Sequence, residues 1–297
     1  MVAAANVQTP EPGVYPDVPM ADYQKWDAAS NSRLRPTLRS GAHLLAYLEA
    51  DDVDTAAFAY GRASHMALFE PDLFAGAFVP EPDVNSPELK DYANPRAAKA
   101  YKEALALLEA SGKTVLKAGE LDDVFRARDA VLKHPKAAKI INATGRAELS
   151  VVWVDEATGT LCKGRFDWHT PTYAGGAIVD LKTTDDASPG AFERAIFRWG
   201  YHRQGAFYLR AARALKIPAV HFTIIAVEKK APYGVILYRL KDEAIRLGDA
   251  QLDFALHRYA ECKRTGEYPG YTTDVIDIGV PKWADAAVER DLEEQVI

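Results

Sequence analysis

Residues 161–183, LCKGRFDWHTPTYAGGAIVDLKT, are the stretch that decides the fold. Two short runs in it, 161–170 and 177–183, are rich in β-branched and aromatic residues, and a turn with a Gly-Gly pair separates them. This composition predicts two neighbouring strands. On the second strand Asp180 and Lys182 lie two residues apart, so their side chains project from the same face of the sheet.

The same periodicity extends the sheet in both directions along the chain. Further strands are predicted at 148–155, 220–227 and 235–240. Helices are predicted at 30–50, 56–69, 99–111, 120–133, 192–216 (with a break near Gly200) and 242–265, and a Pro-rich loop at 79–95. The pattern predicts an α/β fold in which a mixed central sheet is flanked by helices, behind a helical N-terminal region.

A single elaborated domain is favoured because no obvious linker interrupts the pattern. Residues 1–20 are Pro-rich and are expected to form a flexible arm. The remaining 21–297 divide into a helical region at 21–145, an α/β core at 146–266 and a C-terminal tail at 267–297.

Composition narrows the class of protein. The 297 residues are 48% hydrophobic, and no apolar run approaches the roughly 20 residues of a membrane helix. The first residues lack the pattern of a signal peptide, which predicts a cytoplasmic protein with no membrane partner. Cys162 and Cys262 are the only cysteines, so this chain alone cannot hold a four-cysteine iron–sulfur cluster. No GxxxxGK[ST] motif is present, and ATP is not expected as a cofactor.

Charge is segregated along the chain. The net charge of −6 argues against a nucleic-acid partner on its own. Residues 192–216, however, carry six basic side chains and one acidic side chain, a balance of +5. Such a segment is either a set of solvated helix faces or a surface for a polyanion, and charge alone leaves both readings open.

The Asp180–Lys182 pair suits hydrolysis of a phosphodiester. The carboxylate can hold a divalent cation, and the ammonium can orient water and offset the charge that develops on the phosphate. Asp167 on the preceding strand and Glu148 on the strand before that would bring two more carboxylates to one end of the sheet. Ordinary alternatives remain: a surface ion pair for Asp180 and Lys182, a salt bridge for Asp167, and a solvated strand end for Glu148.

The helix that follows carries further polar groups. Gln204 and Tyr208 are four residues apart and share a helical face, and Tyr201 falls near that face. A glutamine can hydrogen-bond a phosphate or a water, and a tyrosine can do so or stack on a base. In isolation, Tyr208 would more often be a core residue and Gln204 an exposed one.

The combined motifs resemble the PD-(D/E)xK nuclease superfamily, in particular its RecB-like branch and the exonuclease VIII (RecE-type) enzymes of phage and prophage recombination. The residues that carry the resemblance are Gly61–His65, Phe69-Glu70-Pro71, Ala147–Ser150, Gly164–Asp167, Ile178–Thr184, Tyr201–Gln204 and Tyr208. Phe166-Asp167 stands where the superfamily name has Pro-Asp.

The resemblance implies a role for each matching position. Asp167 and Asp180 would be the principal metal ligands, assisted by the carbonyl of Leu181, and Lys182 would be the catalytic lysine. Glu148 would support a second metal or a metal-bound water, and His65 would be a further ligand, although a lone His on an Ala-rich helix is ordinarily structural. Gln204, Tyr208, Tyr201 and Arg203 would position the DNA.

By the same resemblance, the activity would be a magnesium-dependent exodeoxyribonuclease, with manganese as the other candidate metal. It would degrade linear double-stranded DNA 5′ to 3′ and leave single strands for a single-strand annealing recombinase, and the chain would form a ring-like homo-oligomer. Three alternatives stay open: a sequence- or structure-specific endonuclease on the same fold, a non-catalytic DNA-binding protein, and a purely structural metal site.

Overall fold

The computed structural model describes residues 10–50 and 55–281 together with 284, 288 and 290. The helices are α1 (Met20–Lys25), α2 (Asn31–Leu34), α3 (Gly41–Glu49), α4 (Ala56–Phe69), α5 (Pro71–Ala77), α6 (Lys99–Ala110), α7 (Ala118–Lys133), α8 (Pro135–Ile141), α9 (Pro189–Trp199), α10 (Tyr201–Ala214) and α11 (Asp242–Thr265). The strands are β1 (Gly13–Tyr15), β2 (Phe78–Pro80), β3 (Thr114–Leu116), β4 (Arg146–Val154), β5 (Leu161–Thr170), β6 (Ala177–Thr184), β7 (His221–Glu228) and β8 (Val235–Arg239). Short 3₁₀ turns cover Pro36–Leu38, Pro95–Ala97 and Tyr173–Gly175.

Six strands form the central sheet in the order β1-β4-β5-β6-β7-β8. The β6–β7 pairing is parallel and the other four are antiparallel, so the sheet is mixed, as predicted. The parallel pairing requires a crossover, which α9 and α10 supply. Strands β2 and β3 form a separate parallel pair that the sequence pattern did not predict.

Helices pack on both faces of the sheet. One face, which we call the α10 face, holds a core from β4–β7, α9, α10 and α11. The opposite face, the α4 face, is covered by α4, α7 and α8. Ile178 belongs to the first core and Leu181 to the second, which is the alternation expected of β6.

The expected helix at 30–50 is wrong as a single element. The structure has α2, the 3₁₀ turn Pro36–Leu38 and α3 in its place. Pro36 has no N–H to continue a helix, and the hydroxyl of Ser40 accepts the N–H of His43 (3.3 Å) and starts α3. The expected break near Gly200 is confirmed, because Gly200 has a φ of +74° and separates α9 from α10.

The expectation of a flexible arm at 1–20 is wrong for residues 13–15. They form β1 and pair with β4 through Gly13↔Val152 to Tyr15↔Ser150. Pro12 and Pro16 flank β1 and keep it short, and its pairing covers the backbone groups along one edge of β4.

Residues 1–9 and most of the positions after 281 lie outside the described part, and the domain boundaries stay a prediction. Among the helices in the described ranges, none has the length and apolar character that a membrane span requires.

Candidate active site

The side chains of β4 and β5 switch from one face of the sheet to the other at one pair of opposed residues. Leu149 lies opposite Phe166, and both pack in the core of the α10 face. Two residues along, Ala147 lies opposite Trp168, and both pack against the core of the α4 face. A regular strand would keep residues i and i+2 on one face. The two strands therefore twist sharply between these pairs.

Glu148 and Asp167 occupy that position. Glu148 has a φ of +47°, which is unusual for a residue with a side chain and costs of order 1–3 kcal/mol. On the other side of β5, the pairing with β6 stops at Trp168↔Val179, one step before Asp167 would meet Asp180. The sheet is thus open at the two aspartates, and side chains from both of its faces can meet there.

Two contacts hold the Asp167 carboxylate, one from β6 and one from α4. Its Oδ2 accepts the backbone N–H of Leu181 at 2.9 Å and lies 3.1 Å from Nδ1 of His65. His65 comes from α4 and so reaches the site from the α4 face. In a strand the N–H and C=O of one residue point to the same side, so the Leu181 carbonyl is also directed toward β5.

Three ligand-bearing groups converge at this point. One ligand atom from each of His65, Glu148 and Asp167 lies within 4.8 Å of the others. The sequence alone predicted Glu148 at this end of the sheet. It gave weak grounds for His65, which lies far from both strands along the chain and is brought to them by the packing of α4.

Asp180 lies beside this cluster and is almost fully buried, with 1% of its surface exposed. Its Oδ1 accepts a hydrogen bond from Nε2 of Gln204 at 2.7 Å, and its Oδ2 lies 2.5 Å from Nζ of Lys182. At this distance the ammonium of Lys182 is a close, charged partner of Oδ2. The predicted side-by-side projection of Asp180 and Lys182 is therefore present.

Two tyrosines of α10 frame these groups. The Lys182 ammonium lies 5.0 Å from the centre of the Tyr201 ring, a distance suited to a cation–π contact. The Tyr208 hydroxyl lies 3.5 Å from Nε2 of Gln204, while its ring packs against Phe166. The shared helical face expected for Gln204 and Tyr208 is thus turned toward the sheet.

The site's ionisable groups perturb one another. Burial and the nearby Asp167 charge raise the pKa of Glu148 to about 8. Burial, only partly offset by Lys182, raises the pKa of Asp180 to about 6. Burial opposes the charged form of His65, but the ion pair with Asp167 prevails and raises its pKa to about 9. These carboxylates repel one another, which is the condition that a bound cation relieves.

Asp167 and Lys182 favour their charged forms. Burial acts to raise the pKa of Asp167, but the charge and hydrogen bond of His65 hold it below its ordinary value. Burial likewise acts to lower the pKa of Lys182, and the charges of Asp180 and Asp167 outweigh it and raise the pKa. Lys182 is therefore an ammonium at neutral pH and places a positive charge beside the carboxylates.

The donor set fits a divalent cation. Ligand atoms of two carboxylates and an imidazole lie within 4.8 Å of one another, and Asp180 and Leu181 belong to the strand whose backbone N–H contacts Asp167. Carboxylate and carbonyl oxygens suit magnesium and manganese, and the imidazole is a ligand that transition metals accept.

Arg203 is placed differently from the expectation. It is 4% exposed and its Nε donates to Oδ1 of Asn31 at 3.1 Å, so it fastens α10 to α2. The prediction that Arg203 meets a DNA phosphate is wrong for this arrangement, because the guanidinium is buried away from solvent. It lies one position from Gln204, about 100° around the helix, and so faces the interior.

Arg165 is a site residue that the sequence reasoning missed. It is 8% exposed, its Nη1 lies 3.9 Å from Oε2 of Glu148, and its Nε donates to Oγ of Ser150 at 2.9 Å. Its Nη2 also donates to the carbonyl of Val18 at 2.7 Å. The available signal was its position two residues before Asp167, which places an arginine on the strand that carries the first carboxylate.

Comparison with known proteins bears on this geometry. The model of the PDDEXK-like domain of unknown function (DUF3799) matches residues 30–277. A crystal structure from Eubacterium rectale, described as a "Putative exonuclease", is similar with a TM-score of 0.56 at 13% identity, covering 88% of this chain and 93% of that chain. The structure of SSO0001 is 13% identical, covers 75% of this chain and 84% of that chain, and has a TM-score of 0.28. No curated protein matches the sequence.

At 13% identity, the likeness to the Eubacterium rectale structure concerns the fold alone. The family match is broader evidence, because it spans most of the chain and includes every strand from β2 to β8. PD-(D/E)xK nucleases use divalent metal ions, in agreement with the donor set around Asp167. The chain belongs to the family of PDDEXK-like domains.

Proposed function

We propose that this protein is a magnesium-dependent deoxyribonuclease that acts from the ends of linear double-stranded DNA. The observation that carries the proposal is the convergence of ligand atoms from His65, Glu148 and Asp167 within 4.8 Å, beside the Asp180–Lys182 pair. A binding module has no need of this combination, whereas hydrolysis of a phosphodiester uses each part of it.

Asp167, Asp180 and the Leu181 carbonyl would hold the cation, with His65 and Glu148 beside them. The cation would supply Lewis acidity and lower the pKa of a bound water. For Asp180 to take part, its carboxylate has to exchange some of its contact with Lys182 for the metal. Gln204, which donates to the other oxygen of Asp180, would keep that carboxylate oriented during the exchange.

Lys182 would act on the phosphate through its charge. Its ammonium is held between Asp180 and the Tyr201 ring, with 19% of the side chain exposed. From there it can donate hydrogen bonds to a phosphate oxygen or to the attacking water, and stabilise the negative charge of the transition state. Tyr201 and Tyr208 would position the strand that carries the phosphate.

The 5′ to 3′ polarity follows from the resemblance to RecE-type enzymes and is part of the proposal. It is tested with linear duplex DNA labelled at the 5′ end of one strand or at the 3′ end, incubated with Mg²⁺. Early release of the 5′ label, with the 3′ label retained on long products, is the expected result. Early release of the 3′ label would reverse the polarity, and internal cutting of both strands would favour an endonuclease.

The same resemblance extends the proposal to assembly and partners. The single strand left by digestion would pass to an annealing recombinase, and the chain would form a ring-like homo-oligomer around DNA. Sedimentation equilibrium of the purified protein tests the second point. A closed oligomer of fixed size is expected, and a monomer at all concentrations would remove the ring from the proposal.

A further inference from the structure

The C-terminal end of α9 exposes two aromatic rings. Phe197 is 65% exposed and Trp199 is 47% exposed, whereas Phe192 on the same helix is fully buried. Both residues lie in the last turn of α9 and project about 200° apart around its axis, so a strand that crosses the end of the helix can contact both rings. We call Phe197, Arg198 and Trp199, together with Arg35, the α9 patch.

The Phe197 ring packs against a buried histidine. Its ring is stacked on the imidazole of His202 with the centroids 5.7 Å apart and the planes 11° from parallel. The imidazole is buried, and its two nitrogens contact the carbonyl of Ile196 at 3.1 Å and Oε1 of Gln251 at 3.0 Å. The Phe197 side chain is therefore already ordered while most of its surface stays exposed. Stacking a base on it would cost less side-chain entropy than stacking on a mobile ring.

Trp199 is accompanied by positive charge. The guanidinium carbons of Arg35 and Arg198 lie 5.8 Å and 5.1 Å from the centre of its ring. Both arginines are exposed, and among the described residues no carboxylate lies within ion-pair distance of either. Aromatic rings beside uncompensated guanidiniums complement a ligand that has both π faces and phosphates.

The patch adjoins the candidate active site. Trp199 is joined to Tyr201 through Gly200, so their Cα atoms are at most about 7 Å apart. Tyr201 in turn lies 5.0 Å from Nζ of Lys182. The patch therefore lies within reach of a strand that is bound at Lys182.

We infer that the α9 patch binds an unpaired DNA strand next to the hydrolytic site, with bases stacked on Phe197 and Trp199 and phosphates on Arg35 and Arg198. The inference rests on the proposed nuclease function, and it specifies unpaired DNA as the form in which the strand enters or leaves the site. An unpaired strand fits better than a duplex, because a duplex hides the faces of its bases within the stack.

The test is binding of a fluorescent oligothymidylate of about 16 nucleotides in EDTA, measured by anisotropy. The wild-type protein is compared with the double variant Phe197→Ala/Trp199→Ala. Two further double variants place Tyr at both positions or Leu at both positions. Tyr keeps the flat ring, whereas Leu keeps only apolar bulk. Phe254→Ala is the matched control, because Phe254 is 50% exposed and lies 4.3 Å from Arg258 on α11, outside the patch.

The Ala variant is expected to bind at least about tenfold more weakly, with Tyr restoring affinity and Leu failing to do so. Phe254→Ala is expected to bind like wild type. Unchanged binding by the Ala variant would overturn the inference, as would equal rescue by Leu and Tyr, or a loss seen with blunt duplex but not with the oligothymidylate. Hydrolysis of linear duplex with Mg²⁺ is assayed separately, so that failure of the nuclease proposal is distinguished from failure of the patch.

Discussion

Nδ1 of His65 lies 3.1 Å from Oδ2 of Asp167, and this contact joins the helical N-terminal region to the central sheet. His65 comes from α4 and Asp167 from β5, 102 residues later in the chain. The N-terminal region therefore contributes to the site directly, besides covering one face of the sheet.

His65→Asn tests this contact. Asparagine keeps a polar group near Asp167 but removes the imidazole, so the Mg²⁺ concentration for half-maximal hydrolysis is expected to rise about 10–100-fold. His257→Asn is the matched control, because His257 is exposed on α11. An unchanged metal requirement in His65→Asn would show that the imidazole is structural.

Gln204→Met tests the support of Asp180. The change keeps the side-chain length but removes the hydrogen bond of 2.7 Å to Oδ1, leaving that buried oxygen without its donor. We expect hydrolysis to fall about tenfold or more while the protein stays folded, measured as initial rates at saturating Mg²⁺. A rate equal to wild type would mean that Asp180 is oriented by other groups.

Stability of the metal-free protein should fall as pH rises. The folded pKa of Glu148 is about 8, above the ordinary 4.5, and that of His65 is about 9, above 6.5. At these two groups the folded state holds more protons than the unfolded state from about pH 4.5 to 9, so their contribution to stability declines across this range. A cation stabilises the deprotonated carboxylates, so the increase in Tm on adding Mg²⁺ should be larger at pH 8.5 than at pH 6.

The control for this pH dependence is Glu148→Gln/His65→Asn, which removes both titrating groups. The variant should show a flatter Tm profile and a smaller response to Mg²⁺. A thermal shift in the wild type that is equal at the two pH values would contradict the proposed ligand role of these residues.

Two glycine substitutions test the packing. A Cβ on Gly248 would clash with the backbone oxygen of His202, where α11 crosses α10, so Gly248→Ala should destabilise by about 2 kcal/mol or more. Gly61 lies inside α4 with nothing within 4 Å of its Cβ position, so Gly61→Ala should stabilise by about 0.5–1 kcal/mol. Urea unfolding measures both, and equal midpoints for the two variants would contradict this packing.

Local sequence patterns predicted the elements that carry the chemistry. The two-residue spacing of Asp180 and Lys182 and the four-residue spacing of Gln204 and Tyr208 are properties of one strand and one helix. Their side chains therefore fall together wherever the elements lie. The mixed sheet also followed, because strand composition and turn residues are local signals.

The remaining features depend on contacts distant in sequence. The face change at Glu148 and Asp167 requires a positive φ that the residue type disfavours, so no propensity predicts it. The burial of Arg203 depends on Asn31 in another helix, and β1 exists only because β4 offers it an edge. Pro36 and Ser40 are the local signals that divide the predicted helix at 30–50.

Digestion of linear duplex DNA beside a covalently closed circle tests the central claim most directly, with Mg²⁺, with chelator, and with Lys182→Ala. We expect loss of the linear DNA alone, abolished by chelator and reduced about 10²–10³-fold or more in Lys182→Ala, because the variant lacks the charge that stabilises the transition state. Lys133→Ala, which removes an exposed lysine on α7, is the control. Intact linear DNA after incubation with folded wild-type protein and Mg²⁺ would contradict the account.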